Sequence, residues 1–166
     1  MAEDGVFTLQ KNRHIIGTQS DLFRLFISDI GSDISDSSFV VWYDPFENSR
    51  NKEIAKSYGE FENAFLKINE NTFDLYKIFA EYHYFDRGFL GSASIKKVLP
   101  VLVPSLSYDT LAIGKGDKAM RALQDLIEGR IVDVASRLET IRNLLVYCRQ
   151  DSFAMLAIYK VLLSVI

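Results

Sequence analysis

Tyr147 and Asp151 stand four residues apart in the stretch LLVYCRQDSFAM. On a helix that spacing puts a phenol and a carboxylate on one face. A second stretch, FVVWYDPFENSRN at residues 39–51, stops an apolar run at Asp44-Pro45 and follows it with Glu47. Hard divalent ions such as Mg2+ and Mn2+ prefer carboxylate oxygens, so Glu47 can hold a metal. It can equally start a helix, with Asp44 as cap, Pro45 at the first helical position and Glu47 reaching back to the cap N–H. Tyr-x-x-x-Asp likewise occurs in many helices as partly buried packing beside a solvated charge. Spacing alone leaves both questions open. The densest basic set is Lys96, Lys97, Lys115, Lys118 and Arg121. These residues can contact phosphates or form a solvated helix face.

The elements that position these residues follow from periodicity and punctuation. VFTLQ, KNR and HIIGT suggest a strand or hairpin. Residues 19–30 carry Leu22, Phe23, Phe26, Ile27 and Ile30 at helical spacing, with Gly31 as a C-cap. Residues 39–43 form a short continuous apolar strand, and a helix begins near Pro45. Residues 60–69 predict a second helix, TFDLY a short strand and residues 79–91 a loop. Ser94 caps a helix IKKVL that Pro100 should end or kink. Residues 117–128 predict a helix stopped by Gly129, and 133–164 one long helix or two in series. Within that last region Val134, Leu138, Ile141, Leu145 and Cys148 recur at helical spacing and are expected to be the buried side. At roughly 100° per residue, Tyr147 and Asp151 lie about 90–130° from that stripe's centre, flanking the core where a cleft wall could be.

Composition bounds the class. The 166 residues suffice for one domain with a proper core, and the near-neutral net charge of −3 gives no field aimed at nucleic acid or membrane. Acidic metal ligands beside basic contacts would leave the same balance. One cysteine, Cys148, excludes an internal disulfide. His14 and His83 lack zinc-ligand spacing, no G-x-S-x-G elbow occurs, and GKGDK lacks the P-loop pattern. The acidic N-terminus has no signal-peptide layout, and MLAIYKVLLSVI is too short to span a bilayer. A cytoplasmic protein with no membrane partner is expected, with residues 1–166 as a single α/β domain whose C-terminal half is helix-rich.

Three stretches together, VVWYDPFENSRNKEIA, GSASIKKVLPVLVPSLSYDTLAIGKGDKAM and LLVYCRQDSFAM, resemble the bacterial family called domain of unknown function 2779. The resemblance runs from about residue 5 to the end. That family is similar to the DEDD 3′–5′ exonucleases of the ribonuclease H-like fold and is often found beside a RecB-like or Cas4-like nuclease domain. The resemblance implies a short mixed sheet with flanking helices. It also implies a site where four acids hold two Mg2+ or Mn2+ ions that activate water and stabilise the leaving oxygen. By position, Glu47 and Asp151 take metal-ligand places and Tyr147 the water-orienting place. Asp74, after a second short strand, is an accessory metal candidate.

Two departures accompany the resemblance. Tyr43 stands where the family usually has Asn. The Asp-x-Glu of the first catalytic strand is absent, since Glu3 and Asp4 are adjacent and fall where relatives carry a turn. The chain thus reads as starting just past that motif. Two functions follow from this. One is a divalent-metal-dependent 3′–5′ exonuclease-like domain acting on DNA or RNA, incomplete as it stands. The other is a catalytically inactive nucleic-acid-binding or protein-interaction module on the same fold. A sheet without its central strand has an open edge, so pairing with a second copy or another chain through that edge is expected.

Overall fold

The computed structural model describes residues 19–165. The hairpin expected over residues 6–18, together with Glu3, Asp4 and His14, lies outside the described residues. The described chain contains helices α1 (Gln19–Ile30), α2 (Asp44–Ser57), α3 (Glu62–Glu70), α4 (Leu75–Ala80), α5 (Ile95–Leu102), α6 (Gly116–Ile127) and α7 (Val134–Leu163). Strands β1 (Phe39–Val41) and β2 (Thr72–Asp74) pair in parallel. The expected short mixed sheet is thus a two-stranded parallel one among the described residues. Parallel strands need a long crossover, and α2 and α3 provide it.

The chain divides into two compact units: residues 19–39 with Asp44–Phe73, and Val40–Tyr43 with residues 74–165. In the first unit the apolar face of α3 places Phe65 and Ile68 in a core with Ala55 and Phe61. Phe23 of α1 meets Phe61, Phe65 and Tyr58 edge-on, with ring centroids 6.1, 5.6 and 5.2 Å apart. Edge-to-face pairs of this kind add to the stabilisation from burial. Asn51 and Asn69 bond at 2.8 Å, and Asn69 also donates to the Asn48 carbonyl, tying α2 to α3.

The core of the second unit gathers Leu75, Phe79, Phe89, Val98, Leu99, Tyr108, Ala154, Ile158 and Leu162. Trp42 stacks on Phe79 at 5.4 Å. Tyr43 has φ +79°, left-handed backbone that asparagine and glycine adopt far more readily than tyrosine. Its N–H donates to Asp74 Oδ1 at 2.8 Å, which helps hold the turn.

Four expectations are corrected. TFDLY is a strand only to Asp74, because the Asp74 side chain caps the N-terminus of α4 by accepting from Tyr76 N–H at 3.0 Å. Pro100 does not end α5, which continues to Leu102, and Ser94 makes no side-chain cap bond. The stripe of Val134, Leu138, Ile141, Leu145 and Cys148 is exposed. The buried residues of α7 are Ala154, Ile158 and Leu162. This stripe runs on from Tyr147 and Asp151 at four- and three-residue steps, so the pair lies on the core-facing side of α7. The region forms one helix, α7, with the Asp133 side chain accepting from Ser136 N–H at 2.8 Å as its cap. No helix among the described residues is long and apolar enough to cross a membrane.

Candidate functional site

The site lies in the second unit, where α7 meets the segment between α5 and α6. Tyr147 and Asp151 are half-buried on α7. The Tyr108 hydroxyl, from the 3-10 turn Tyr108–Thr110, donates to Asp151 Oδ1 at 2.6 Å. The Tyr108 ring lies 6.2 Å from that of Tyr147, centroid to centroid. Gly114 lets the chain turn tightly here, since a Cβ at that position would stand 2.6 Å from the Tyr108 carbonyl oxygen. Gly116 starts α6 against the same group; its Cβ would meet the Tyr147 hydroxyl at 3.5 Å.

Electrostatics hold both phenols protonated. Burial raises the Tyr108 hydroxyl far above the ordinary tyrosine range. The bond to Asp151 acts in the same direction, because ionisation would set anion against anion. Burial, then the charge of Asp151, pushes Tyr147 up to about 12. Desolvation and then Asp151 also raise the thiol of exposed Cys148, so it is a poor thiolate near neutral pH. Asp151 thus accepts from one neutral phenol and lies beside a second.

Lys96 of α5 places its Nζ 5.5 Å from the Tyr108 ring centroid, within cation–π range. Lys97 is exposed one residue on. Lys115 and Lys118 are exposed at the start of α6, the end that abuts Tyr147, and Arg121 is exposed one turn later. The structure therefore brings Tyr147, Asp151 and Lys96 to one place and adds Tyr108, which the sequence reading missed. The signal was present in the LSY stretch, but nothing local links Tyr108 to a residue 43 positions away.

The other two acids are each accounted for by their local surroundings. Asp74 is buried, and its Oδ1 accepts the N–H groups of both Tyr43 and Tyr76. That explains its burial by backbone satisfaction. Glu47 is half-buried in the first turn of α2, in the first unit, where a carboxylate complements the helix dipole. Among the described residues no group of three or more His, Cys, Asp or Glu side chains could hold a metal ion.

The family described as Domain of unknown function (DUF2779) matches residues 4–94, more than half of the chain. The chain belongs to that family. The DUF2779 match takes in β1, Glu47 and Asp74 and ends at Ser94, so the SIKKVLP run beyond its first residue, Tyr108, Tyr147 and Asp151 lie past it. No curated protein and no solved structure matches the chain.

Proposed function

We propose that this domain binds nucleic acid through the Tyr108–Tyr147–Asp151 site, on a scaffold related to the ribonuclease H-like 3′–5′ exonucleases. The observation behind this reading is the convergence of two phenols, Lys96 and the N-terminal end of α6 around one carboxylate. Ammonium groups, hydroxyls and helix N-termini hold phosphate oxygens. The half-buried Tyr147 ring offers a stacking surface for an unpaired base, while Tyr108, buried in the core, holds Asp151 in place. Lys97, Lys115 and Lys118 would extend the contact along a strand.

In the exonuclease relatives that the resemblance implies, Glu47 and Asp151 would be metal ligands and Tyr147 the water-orienting phenol. The described residues do not fit a two-metal centre. They bring no three ligands together, Asp151 already accepts from Tyr108, and Asp74 is engaged by backbone. No step through Mg2+ or Mn2+ is therefore assigned to them. Cleavage would fall to a RecB-like or Cas4-like nuclease companion.

The test is fluorescence anisotropy with labelled single-stranded DNA and RNA in EDTA. Binding is expected, weakened about ten-fold or more, roughly 1.4 kcal/mol, in a Lys96→Ala/Lys118→Ala variant. No binding in EDTA, or binding indifferent to that variant, would overturn the reading. A parallel Mn2+ titration by calorimetry uses Glu47→Ala as control. Tight Mn2+ binding lost in Glu47→Ala, with Mn2+-dependent cleavage lost in Asp151→Ala, would make the domain an exonuclease in its own right.

A further inference from the structure

The α6–α7 pair leaves one apolar face open. On α7, Val134 and Leu138 are 69 % and 62 % exposed, and Ile141 and Leu145 are exposed as well. Their spacing of four, three and four is the a/d interval of a coiled-coil heptad, which Cys148 continues three residues on. On α6, Met120 and Ile127 are 70 % and 76 % exposed, with Leu123 between them at three- and four-residue steps.

Both stripes look the same way. The buried or half-buried side of α6 is Ala119, Ala122 and Leu126, and that of α7 is Thr140, Leu144 and Tyr147. At about 100° per residue, each open stripe lies about 100° round its helix from the inward side, in the same rotational sense. The helices run antiparallel, because the start of α6 abuts Tyr147 while a short link joins its end to the start of α7. Equal rotations on antiparallel neighbours bring both stripes to one face. A contiguous apolar face of this kind marks an interaction site, unlike the scattered exposed residues of any surface.

Charge decides what covers it. With Leu138 and Leu145 at heptad position a, Arg142 and Arg149 occupy the e positions and Arg137 a g position. Arg142 and Arg149 are exposed, and Arg137 is half-buried with a bond to the Ile131 carbonyl. In an antiparallel self-pair Arg142 faces Arg142; in a parallel one Arg137 faces Arg142. A second copy that pairs α7 with α7 therefore sets like charges together, whereas an acidic helix on α7 satisfies them. The regular 3.5-residue seam of α7, beside the parallel-facing stripe of α6, fits a third helix better than a flat bilayer. We propose that this face docks an amphipathic α-helix of a partner protein, with apolar residues at a and d and Glu or Asp beside them.

The probe is a synthetic three-heptad helix with Leu at a and d and Glu at e and g, compared with a twin carrying Lys at e and g. Anisotropy with the full chain should show the Glu peptide binding about ten-fold or more tighter than the Lys peptide. Leu138→Glu/Ile141→Glu, on exposed positions, should abolish binding while leaving the circular dichroism spectrum intact. Arg142→Glu/Arg149→Glu should switch the preference to the Lys peptide, a gain that misfolding cannot mimic. Failure to bind the Glu peptide, or equal binding of the two, would overturn the proposal. So would a dimer, or recruitment to phosphatidylserine vesicles, that Leu138→Glu/Ile141→Glu abolishes.

Discussion

At the scale of single residues, the 2.6 Å bond from Tyr108 to Asp151 is the most consequential contact of the candidate site. Tyr108→Phe keeps the buried ring and removes the donor, leaving a half-buried carboxylate one partner short. The expected loss is about 1.5–3 kcal/mol of stability, the range for hydrogen bonds to charged groups, measured by urea denaturation. Tyr147 carries a pH signature. Its hydroxyl titrates near 12 in the folded chain and near 10 when unfolded, so the folded state holds its proton longer. The contribution is intact below pH 10 and fades as pH rises toward 12. Urea midpoints measured from pH 9 upward should fall, and fall less in Tyr147→Phe. The Tyr147–Asp151 pair was legible in the sequence because four-residue spacing fixes a shared face. Tyr108 was not, because its partner is fixed only by tertiary packing. Asp74, a metal candidate by position, lies between a strand and a helix, where an acid also suits a cap, and it caps α4 by accepting from the Tyr76 N–H.

At the scale of elements, α7 shows what periodicity can and cannot decide. The four–three recurrence from Val134 to Cys148 marks an apolar side of the helix. It does not say whether this chain covers that side. The helix is buried instead along Ala154, Ile158 and Leu162, a stripe that the small Ala154 and the Asp151 just before it made less visible in the sequence. Helix α4 was missed because six residues give too little periodicity to separate it from loop. The turn from Tyr108 to Gly114 depends on close backbone approach. Gly114→Ala would force a Cβ against the Tyr108 carbonyl, and overpacking of this kind costs about 1–3 kcal/mol. The same variant should loosen the Tyr108–Asp151 bond, read as a change in tyrosine fluorescence beside the lower urea midpoint.

At the scale of the whole molecule, the mixed, helix-rich character was readable from alternating strand and helix signals. The two separate cores were not, since each draws on residues far apart in sequence: Phe23 with Phe65 in one, Phe79 with Ile158 in the other. Net charge enters function at this scale too. A chain at −3 gains little long-range attraction to nucleic acid, so affinity must come from local lysines. Neutralising each phosphate of a single strand contributes about −0.7 to the slope of log affinity against log salt. Four engaged lysines give a slope near −3, and each Lys→Ala among Lys96, Lys97, Lys115 and Lys118 should flatten it by about 0.7. A salt-independent affinity would mean that these lysines face solvent only.

Cys148 closes the apolar seam of α7 and is the next residue after Tyr147, and it is the chain's one thiol. Its raised pKa makes it slow toward maleimides at neutral pH and faster in mildly alkaline buffer. A dye attached there without any mutation would sit between the two surfaces of interest. Ligand at the tyrosine site and a helix on the seam would each change its emission, so one label could follow both binding events in the same cuvette.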